Sequence, residues 1–152
     1  MTVVAESLFL GLQTFHVAFL LLHDWVPIGR LNDIRAQRTT DPVRKRVLTT
    51  VLSAVPYLFL LAFSVRDVRA HRLSHSLVFW LWVGYGALFA GELKAWWIPY
   101  FLWYEPERAA RYRRLFGETH AFLKERNGIR PNTLHVVLHL ATLCMLLLLL
   151  RL

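Results

Sequence analysis

The chain has 152 residues, which suits a single domain, and its composition is 56% hydrophobic and only 18% charged. About a quarter of the residues in soluble domains are charged, so this composition argues against an ordinary soluble domain. The net charge of +8 would suit a nucleic-acid surface in a soluble protein. Here the arginines and lysines lie between long apolar runs, and we interpret them as signals of membrane topology, with no nucleic-acid partner. The single cysteine, Cys144, excludes a disulfide within the chain and argues against a cysteine-based zinc site.

Four apolar segments predict four transmembrane helices, because about 20 helical residues cross about 30 Å of hydrocarbon. We place the spans at residues 4–24, 46–65, 77–97 and 133–151. Any one of them could instead be a shorter helix buried in a core, but the chain has little polar sequence to cover four such helices. The predicted class is therefore an all-α integral membrane protein, with residues 1–152 forming one domain built as a four-helix bundle.

The first segment has the hydrophobicity of a signal peptide but lacks its other features. Residues 1–22 have no basic start, carry Glu6 early and show no small-residue cleavage motif. We therefore interpret this segment as a retained signal-anchor helix.

A dense run of aromatic residues follows the third predicted span. Amphipathic rings favour the headgroup region of a bilayer, so this run predicts an aromatic belt at one membrane surface. Its members are Trp96, Trp97, Tyr100, Trp103 and Tyr104. Pro99 and Pro106 argue against one straight helix through this region.

Residues 106–126 repeat apolar side chains at helical spacing, with arginines and Lys124 between them. This pattern predicts an amphipathic helix lying on the anionic cytoplasmic leaflet. A soluble cap that packs onto the bundle fits the pattern equally well. Gly128 should end this helix, and Asn132 or Thr133 should cap the start of the fourth span.

Arginine and lysine counts in the connecting loops predict the orientation of the chain. The first loop carries six and the third carries seven, whereas the second carries three and the C-terminus one. With four spans, the first and third loops share a side, which should be the cytoplasm, and both termini should lie outside. Arginine outnumbers lysine by fifteen to three, which favours a GC-rich prokaryotic genome and hence the bacterial inner membrane.

Each predicted span carries one polar stripe when its residues are placed around a helix. The stripes comprise Glu6, Gln13, His16, His23 and Asp24 on the first span, Thr50, Ser53, Tyr57 and Ser64 on the second, Tyr85 and Glu92 on the third, and Asn132, His135, His139 and Thr142 on the fourth. Because lipid cannot satisfy polar groups, the stripes are predicted to face one another in a polar interior.

Part of this polar set should cluster by depth in the cytoplasmic half of the bundle. At 1.5 Å per residue, His16 lies about 10 Å deeper than His23 at the end of its span. Glu92 lies one to two turns inside the aromatic run. The predicted cluster consists of His16, His23, Asp24, Glu92, His135 and His139.

Glu92 is the candidate catalytic residue. A carboxylate inside a membrane helix costs about 2–3 kcal/mol or more, so some interaction should offset that cost. A hydrogen bond or ion pair with His16, His135 or Lys94 would do so, although Lys94 faces elsewhere on the helix and should reach the headgroups. The alternatives are a ligand, a metal ion or a proton-transfer role for Glu92.

His135 and His139 are four residues apart, which places both imidazoles on one helix face. Two histidines at this spacing can reach one metal ion, and His16 with Glu92 would complete a site suited to zinc or iron. Hydrogen bonding between helices is the alternative role for the pair. Axial haem ligation by His16 with His135 or His139 is a further alternative.

The segment Arg130–His135, with the sequence RPNTLH, resembles the start of the last helix in the EXPERA group of four-helix membrane proteins. That group includes sterol isomerases and a sigma-type receptor. The resemblance covers six residues and implies a lipid-like ligand inside the bundle, without assigning a role to any residue.

These observations favour a pocket lined by histidines and Glu92 that binds or modifies a lipid-like or amphiphilic molecule. Tyr57 and Tyr85 would be supporting hydrogen-bond donors, and a metal could assist.

The alternative is a non-catalytic accessory subunit of a larger membrane complex, in which the polar stripes hold the helices together. Proton or ion conduction is a third interpretation, and it would need oligomerisation. The expected partners are membrane lipids and either a membrane protein or further copies of the chain.

Overall fold

A computed structural model describes residues 3–151, and the regular elements in this range are all helices. They are α1 (Val3–Leu22), α2 (Ile34–Thr40), α3 (Val43–Arg69), α4 (His75–Glu92), α5 (Ile98–Phe101), α6 (Pro106–Phe116) and α7 (Thr133–Leu149). A π-helical turn, Leu93–Trp97, joins α4 to α5, and a short 3₁₀ helix, Gly29–Leu31, precedes α2. The predicted all-helical class is confirmed for this part of the chain.

Three helices are long and apolar enough to cross a membrane. They are α1 with 20 residues, α3 with 27 and the continuous helix His75–Phe101 with 27. The fourth, α7, is also apolar but has only 17 residues. A membrane location is therefore supported by three helices, and the fourth span stays a prediction.

The four long helices pack around one apolar core. α1 contacts α3 and α7, and α4 also contacts α3 and α7. Phe9, Leu81 and Met145 are fully buried in this core. The outward faces are apolar as well, with Leu52 and Phe79 more than half exposed. Apolar side chains on both the inner and the outer faces are typical of helices surrounded by lipid.

No single straight α-helix runs through the region of Pro99 and Pro106, as predicted: the third long helix changes to a π turn before Pro99 and ends at Phe101. Proline has no N–H and its ring clashes with the carbonyl four residues earlier, which in this chain belongs to Ala95. The π turn widens the helix at this point, and the chain continues as α5 to Phe101. π turns within α-helices are one known way of accommodating such a local misfit.

α6 is shorter than the predicted helix over residues 106–126, so that boundary is wrong. α6 ends at Phe116, and Gly117 follows it. Residues 117–132 are irregular, with one isolated bridge between Arg126 and Ile129. Glycine is a poor helix former, and this one comes eleven residues before the Gly128 that was expected to end the helix.

The apolar face of α6 packs on the protein. The Trp96 ring lies 4.5 Å from Tyr112 and 5.1 Å from Phe116, measured between ring centroids. Trp96 is therefore buried, with 5% of its surface exposed, which corrects its assignment to a headgroup belt. Trp103 and Tyr104 are more than half exposed, as such a belt requires.

The two basic loops contact each other at one end of the molecule. The His120 N–H donates to the Arg30 carbonyl at 2.6 Å, and the Thr133 N–H donates to the His120 carbonyl at 2.9 Å. Asp41 and Arg111 form an ion pair of 2.5 Å between the same two loops. The first and third loops therefore share an end, as the four-span prediction requires.

Candidate functional site

Three buried side chains from three helices form a hydrogen-bonded chain in the interior. The Thr142 hydroxyl oxygen of α7 lies 3.0 Å from Nε2 of His16 in α1 and 2.8 Å from Oε1 of Glu92 in α4. His16 and Thr142 are fully buried, and Glu92 is 5% exposed. The predicted pairing of Glu92 with His16 is thus indirect, through Thr142.

The geometry of these hydrogen bonds limits where the protons of His16, Thr142 and Glu92 can lie. Nδ1 of His16 lies 2.6 Å from the Leu12 carbonyl, which can only accept, so Nδ1 carries a proton. A hydroxyl has one proton to donate. The Leu138 carbonyl, at 3.1 Å, is a third acceptor for it. Within the chain of three side chains, Thr142 donates either to an ionised Glu92, with His16 doubly protonated, or to a neutral His16, with Glu92 protonated. The two arrangements differ by the shift of two protons between neighbouring atoms.

Polar atoms without a hydrogen-bond partner lie around the three linked side chains His16, Thr142 and Glu92. Among residues 3–151, they include the second carboxyl oxygen of Glu92, the Tyr85 hydroxyl and the Gln13 side-chain nitrogen. The other end of the Gln13 amide accepts a 3.0 Å hydrogen bond from Ser64. Because more than nine in ten buried polar groups in proteins are paired, three unpaired atoms in one interior are unusual.

Tyr85 and Tyr57 form an aromatic wall beside His16. The Tyr85 ring lies 5.0 Å from the His16 ring and 5.4 Å from the Tyr57 ring, between centroids. The Tyr57 hydroxyl donates to the Gly84 carbonyl at 2.8 Å and is therefore occupied. Of the two predicted hydrogen-bond donors, only Tyr85 has a free hydroxyl in the described chain.

The remaining histidines of the predicted cluster lie nearer the loop end. The His135 ring centroid is 5.9 Å from His23 and 6.2 Å from His139. Nδ1 of His135 donates to the side-chain oxygen of Asn132, which also caps α7, as predicted. Trp97 donates to Nδ1 of His139 at 3.1 Å, so neutral His139 carries its proton on Nε2.

A cavity of about 250 Å³ opens beside this second group, between the first loop, α3, α6 and α7. Its polar lining consists of His23, Asp24, Gln37, Asp41, Lys45, Thr49, Arg46, Arg111 and His135. Burial alone would raise the pKa of Asp41, but hydrogen bonds from Lys45 and Arg111 outweigh it and hold the pKa below its usual value. Asp24 pairs with His23 at 3.1 Å.

A larger cavity of about 500 Å³ lies between α3 and α4. Its lining is mostly apolar and includes Pro56, Phe59, Phe63, Trp80 and Gly84. These residues belong to helices long enough and apolar enough to cross a membrane.

The eight predicted site residues divide into two neighbouring groups. The interior group holds His16, Tyr57, Tyr85 and Glu92, and the loop-end group holds His23, Asp24, His135 and His139. Thr142 links the interior group but was missing from the predicted site, although its place on the polar stripe of the fourth span was a signal for it. Arg46 was counted only as a topology signal, and Trp96 and Trp97 only as interfacial rings.

The metal hypothesis has no geometric support in the described chain. Within residues 3–151, no three histidine, cysteine, aspartate or glutamate side chains come together as a metal site would require. His16 is bridged to Glu92 by Thr142, and Trp97 occupies Nδ1 of His139. Zinc, iron and haem therefore stay predictions from the sequence.

Searches against protein families, curated proteins and solved structures each found no match to this chain.

Proposed function

We propose that this chain is a four-span membrane protein that binds a lipid-like, amphiphilic molecule in the polar interior of its helix bundle. In this proposal Glu92 is the group that hydrogen-bonds the ligand and exchanges a proton with it. Both termini lie outside a bacterial inner membrane, and the two basic loops with α6 lie at the cytoplasmic surface.

One observation carries the proposal, the unpartnered carboxyl oxygen of Glu92. A side chain that only joined helices would have its polar atoms paired, because an unpaired buried group costs about 1–3 kcal/mol. Glu92 uses one oxygen on Thr142 and leaves the other free among residues 3–151. Two further groups are free: the Tyr85 hydroxyl, which can donate and accept a hydrogen bond, and the Gln13 amide nitrogen, which can donate. A hydroxyl or carbonyl group of a ligand would complete these bonds.

The surroundings favour an amphiphile as the ligand. The polar atoms lie between helices whose outer faces are apolar, so a ligand arriving from the bilayer meets them without crossing water. A molecule with one polar end and an apolar body matches this arrangement. The apolar lining of the groove between α3 and α4 supports this proposal, because hydrocarbon would match it.

The chain of His16, Thr142 and Glu92 supports a proton-exchange role for the site. A proton given up by Glu92 can be replaced from the Thr142 hydroxyl, which in turn takes one from Nε2 of His16. Each transfer runs along a contact of 3.0 Å or less. Such a chain would let Glu92 act as an acid or a base without direct access to water.

The experiment is to compare Glu92→Gln with the exposed control Glu118→Gln. Each protein is purified in mild detergent, its thermal unfolding is measured, and its co-purifying lipids are identified by mass spectrometry. We expect the wild type and Glu118→Gln to retain an amphiphile that Glu92→Gln lacks, with similar unfolding temperatures. Identical lipids in all three proteins would contradict the proposal. A lowered unfolding temperature for Glu92→Gln without any loss of lipid would mean that Glu92 stabilises the contact between helices and does not bind a ligand.

The second candidate is an accessory subunit of a larger membrane complex. The observation that favours it is the groove between α3 and α4, which is twice the volume of the charged cavity and open on the apolar face. A transmembrane helix of a partner would fill it, packing on the apolar side chains of α3 and α4 that line the groove. Crosslinking from a photoreactive residue in place of Phe59, in native membranes, distinguishes a protein partner from lipid at this groove.

A further inference from the structure

Arg46 is a buried cation that no carboxylate neutralises. Only 5% of its surface is exposed, and within residues 3–151 it forms no ion pair. Its guanidinium lies 4.3 Å from the Trp25 ring centroid and donates to the Asp24 main-chain carbonyl. Its Nε has no hydrogen-bond partner. A buried charge without a counter-ion is unfavourable, so an anion at this place would be strongly stabilised.

The start of α3 also lacks a negative charge. Its first turn carries Arg44, Lys45 and Arg46 and no acidic residue, and Pro42 supplies no side-chain cap. The amino end of a helix has a partial positive charge, which disfavours cations and favours anions nearby. Lys45 on this turn is paired with Asp41 and Arg44 is exposed, so Arg46 is the cation of the turn that is buried without a counter-ion.

The charges around the cavity leave a net positive balance. Lys45 and Arg111 both bind Asp41, at 2.7 and 2.5 Å, and Asp24 is paired with His23. Arg46 is the cation that these carboxylates leave over. A volume of about 250 Å³ accommodates a small oxyanion next to it.

Gln37, in the orientation that its amide has here, favours one kind of anion. It lines the same cavity, is 7% exposed, and its side-chain oxygen has no donor among the described residues. An ionised carboxylate or a phosphodiester can only accept hydrogen bonds. A phosphate monoester, whose second ionisation lies near pH 6, is partly protonated near neutrality and can donate to Gln37 while it accepts from Arg46.

We propose that this cavity binds a phosphate group that keeps an ionisable hydroxyl, as a phosphate monoester and inorganic phosphate both do, with Arg46 as its counter-ion and Gln37 as the acceptor of its proton. The phosphate is either the headgroup of phosphatidic acid or a free phosphate from the solvent. The site is separate from Glu92 and does not depend on the function proposed for the interior.

The test is calorimetric titration of the full-length protein, in neutral detergent, with inorganic phosphate. We expect binding to the wild type, at least tenfold weaker binding to Arg46→Gln, and less than a twofold change for Arg44→Gln. Arg44 loses the same charge from the same helical turn but is exposed and lies outside the cavity. Equal losses in the two variants would overturn the proposal, because they would reflect net charge only. So would the absence of binding to both inorganic phosphate and phosphatidic acid.

If Arg46→Gln does not fold, a second variant, Gln37→Glu, still tests the proposal. Gln37→Glu replaces the acceptor by an ion at similar volume, and we expect it to weaken phosphate binding while Arg46 stays in place. Unchanged affinity in this variant would contradict the role given to Gln37.

Nanodiscs containing phosphatidic acid or phosphatidylglycerol then show whether the bound phosphate is a lipid headgroup or a free ion. Displacement of bound phosphate by phosphatidic acid alone assigns a lipid headgroup, and no displacement by either assigns a free phosphate.

Discussion

The Tyr112 hydroxyl donates a 2.9 Å hydrogen bond to the main-chain carbonyl of Ala95, the oxygen four residues before Pro99. Because proline has no N–H, that carbonyl lacks its usual donor within the helix. Burial raises the pKa of Tyr112, which keeps the phenol protonated and able to donate. Arg108 of α6 donates to the same carbonyl at 3.0 Å. α6 thus supplies, through Tyr112 and Arg108, hydrogen bonds to a carbonyl that the third long helix leaves without its usual donor.

Removing the Tyr112 hydrogen bond should destabilise the protein in a way that depends on Pro99. We expect Tyr112→Phe to lower the free energy of unfolding by about 1 kcal/mol, a typical value for a lost hydrogen bond. In a Pro99→Ala background, residue 99 regains an N–H and the helix can satisfy Ala95 itself. A double-mutant cycle measured by denaturant unfolding in detergent should therefore show coupling. Purely additive effects would argue against this explanation of the π turn.

Thr142 should be required for the stability of the interior chain. Thr142→Val keeps the volume but removes the hydroxyl, which leaves both His16 and Glu92 buried without that partner. We expect a loss of about 1–3 kcal/mol in thermal or denaturant unfolding. Thr142→Ser retains the hydroxyl and serves as the matched control, with a loss below that of the valine variant. Equal losses in the two variants would mean that the methyl group, and not the hydroxyl, matters here.

Gly128 should tolerate no side chain. Its φ of +71° favours glycine, and an added Cβ would lie 2.6 Å from Ala109 Cβ and 2.7 Å from the Tyr104 ring. We expect Gly128→Ala to cost about 2 kcal/mol or more, from backbone strain together with overpacking. Gly86→Ala is the control, because its added Cβ meets nothing within 4 Å in a helix. It should be neutral or slightly stabilising.

The ion pairs of Asp41 predict an acid-sensitive contribution to stability. Its folded-state pKa is lowered, so its contribution is present above the unfolded-state pKa, near 4, and is lost as the pH falls through the folded-state value. Between about pH 6 and pH 3, the wild type should lose more unfolding free energy than Asp41→Asn, by about 0.5–1 kcal/mol. Glu118→Gln, at an exposed site, should follow the wild type. Parallel pH profiles for all three proteins would refute the prediction.

The proposed orientation can be checked by labelling single cysteines in intact cells. In a Cys144→Ala background, we expect a membrane-impermeant maleimide to label Arg72→Cys and not Thr39→Cys. Both positions are exposed, so access to the reagent should depend on the side of the membrane alone. Labelling of Thr39→Cys from outside would reverse the assigned topology.

The sequence was a better guide to which residues lie in the interior than to the hydrogen bonds between them. Polar stripes depend only on helical spacing, so His16, Glu92 and Thr142 could be placed on facing surfaces. The bridging position of Thr142 depends on the relative rotation of three helices, which spacing does not contain. The burial of Trp96 and the persistence of the helix past Pro99 follow from the docking of α6, a long-range contact. Arg46 looked like any other basic loop residue, because its burial depends on Trp25 and on both loops.

The bridge between His16 and Glu92 comes from the last helix of the chain. During synthesis, α1 and α4 leave the ribosome before Thr142 exists, so their polar groups must wait in the translocon or at the bilayer surface. Only the arrival of α7 gives both groups their shared partner and joins α1 to α4 through it. Assembly of this interior should therefore wait for α7, and a nascent chain arrested before Thr133 should remain a substrate for insertases and quality-control proteases.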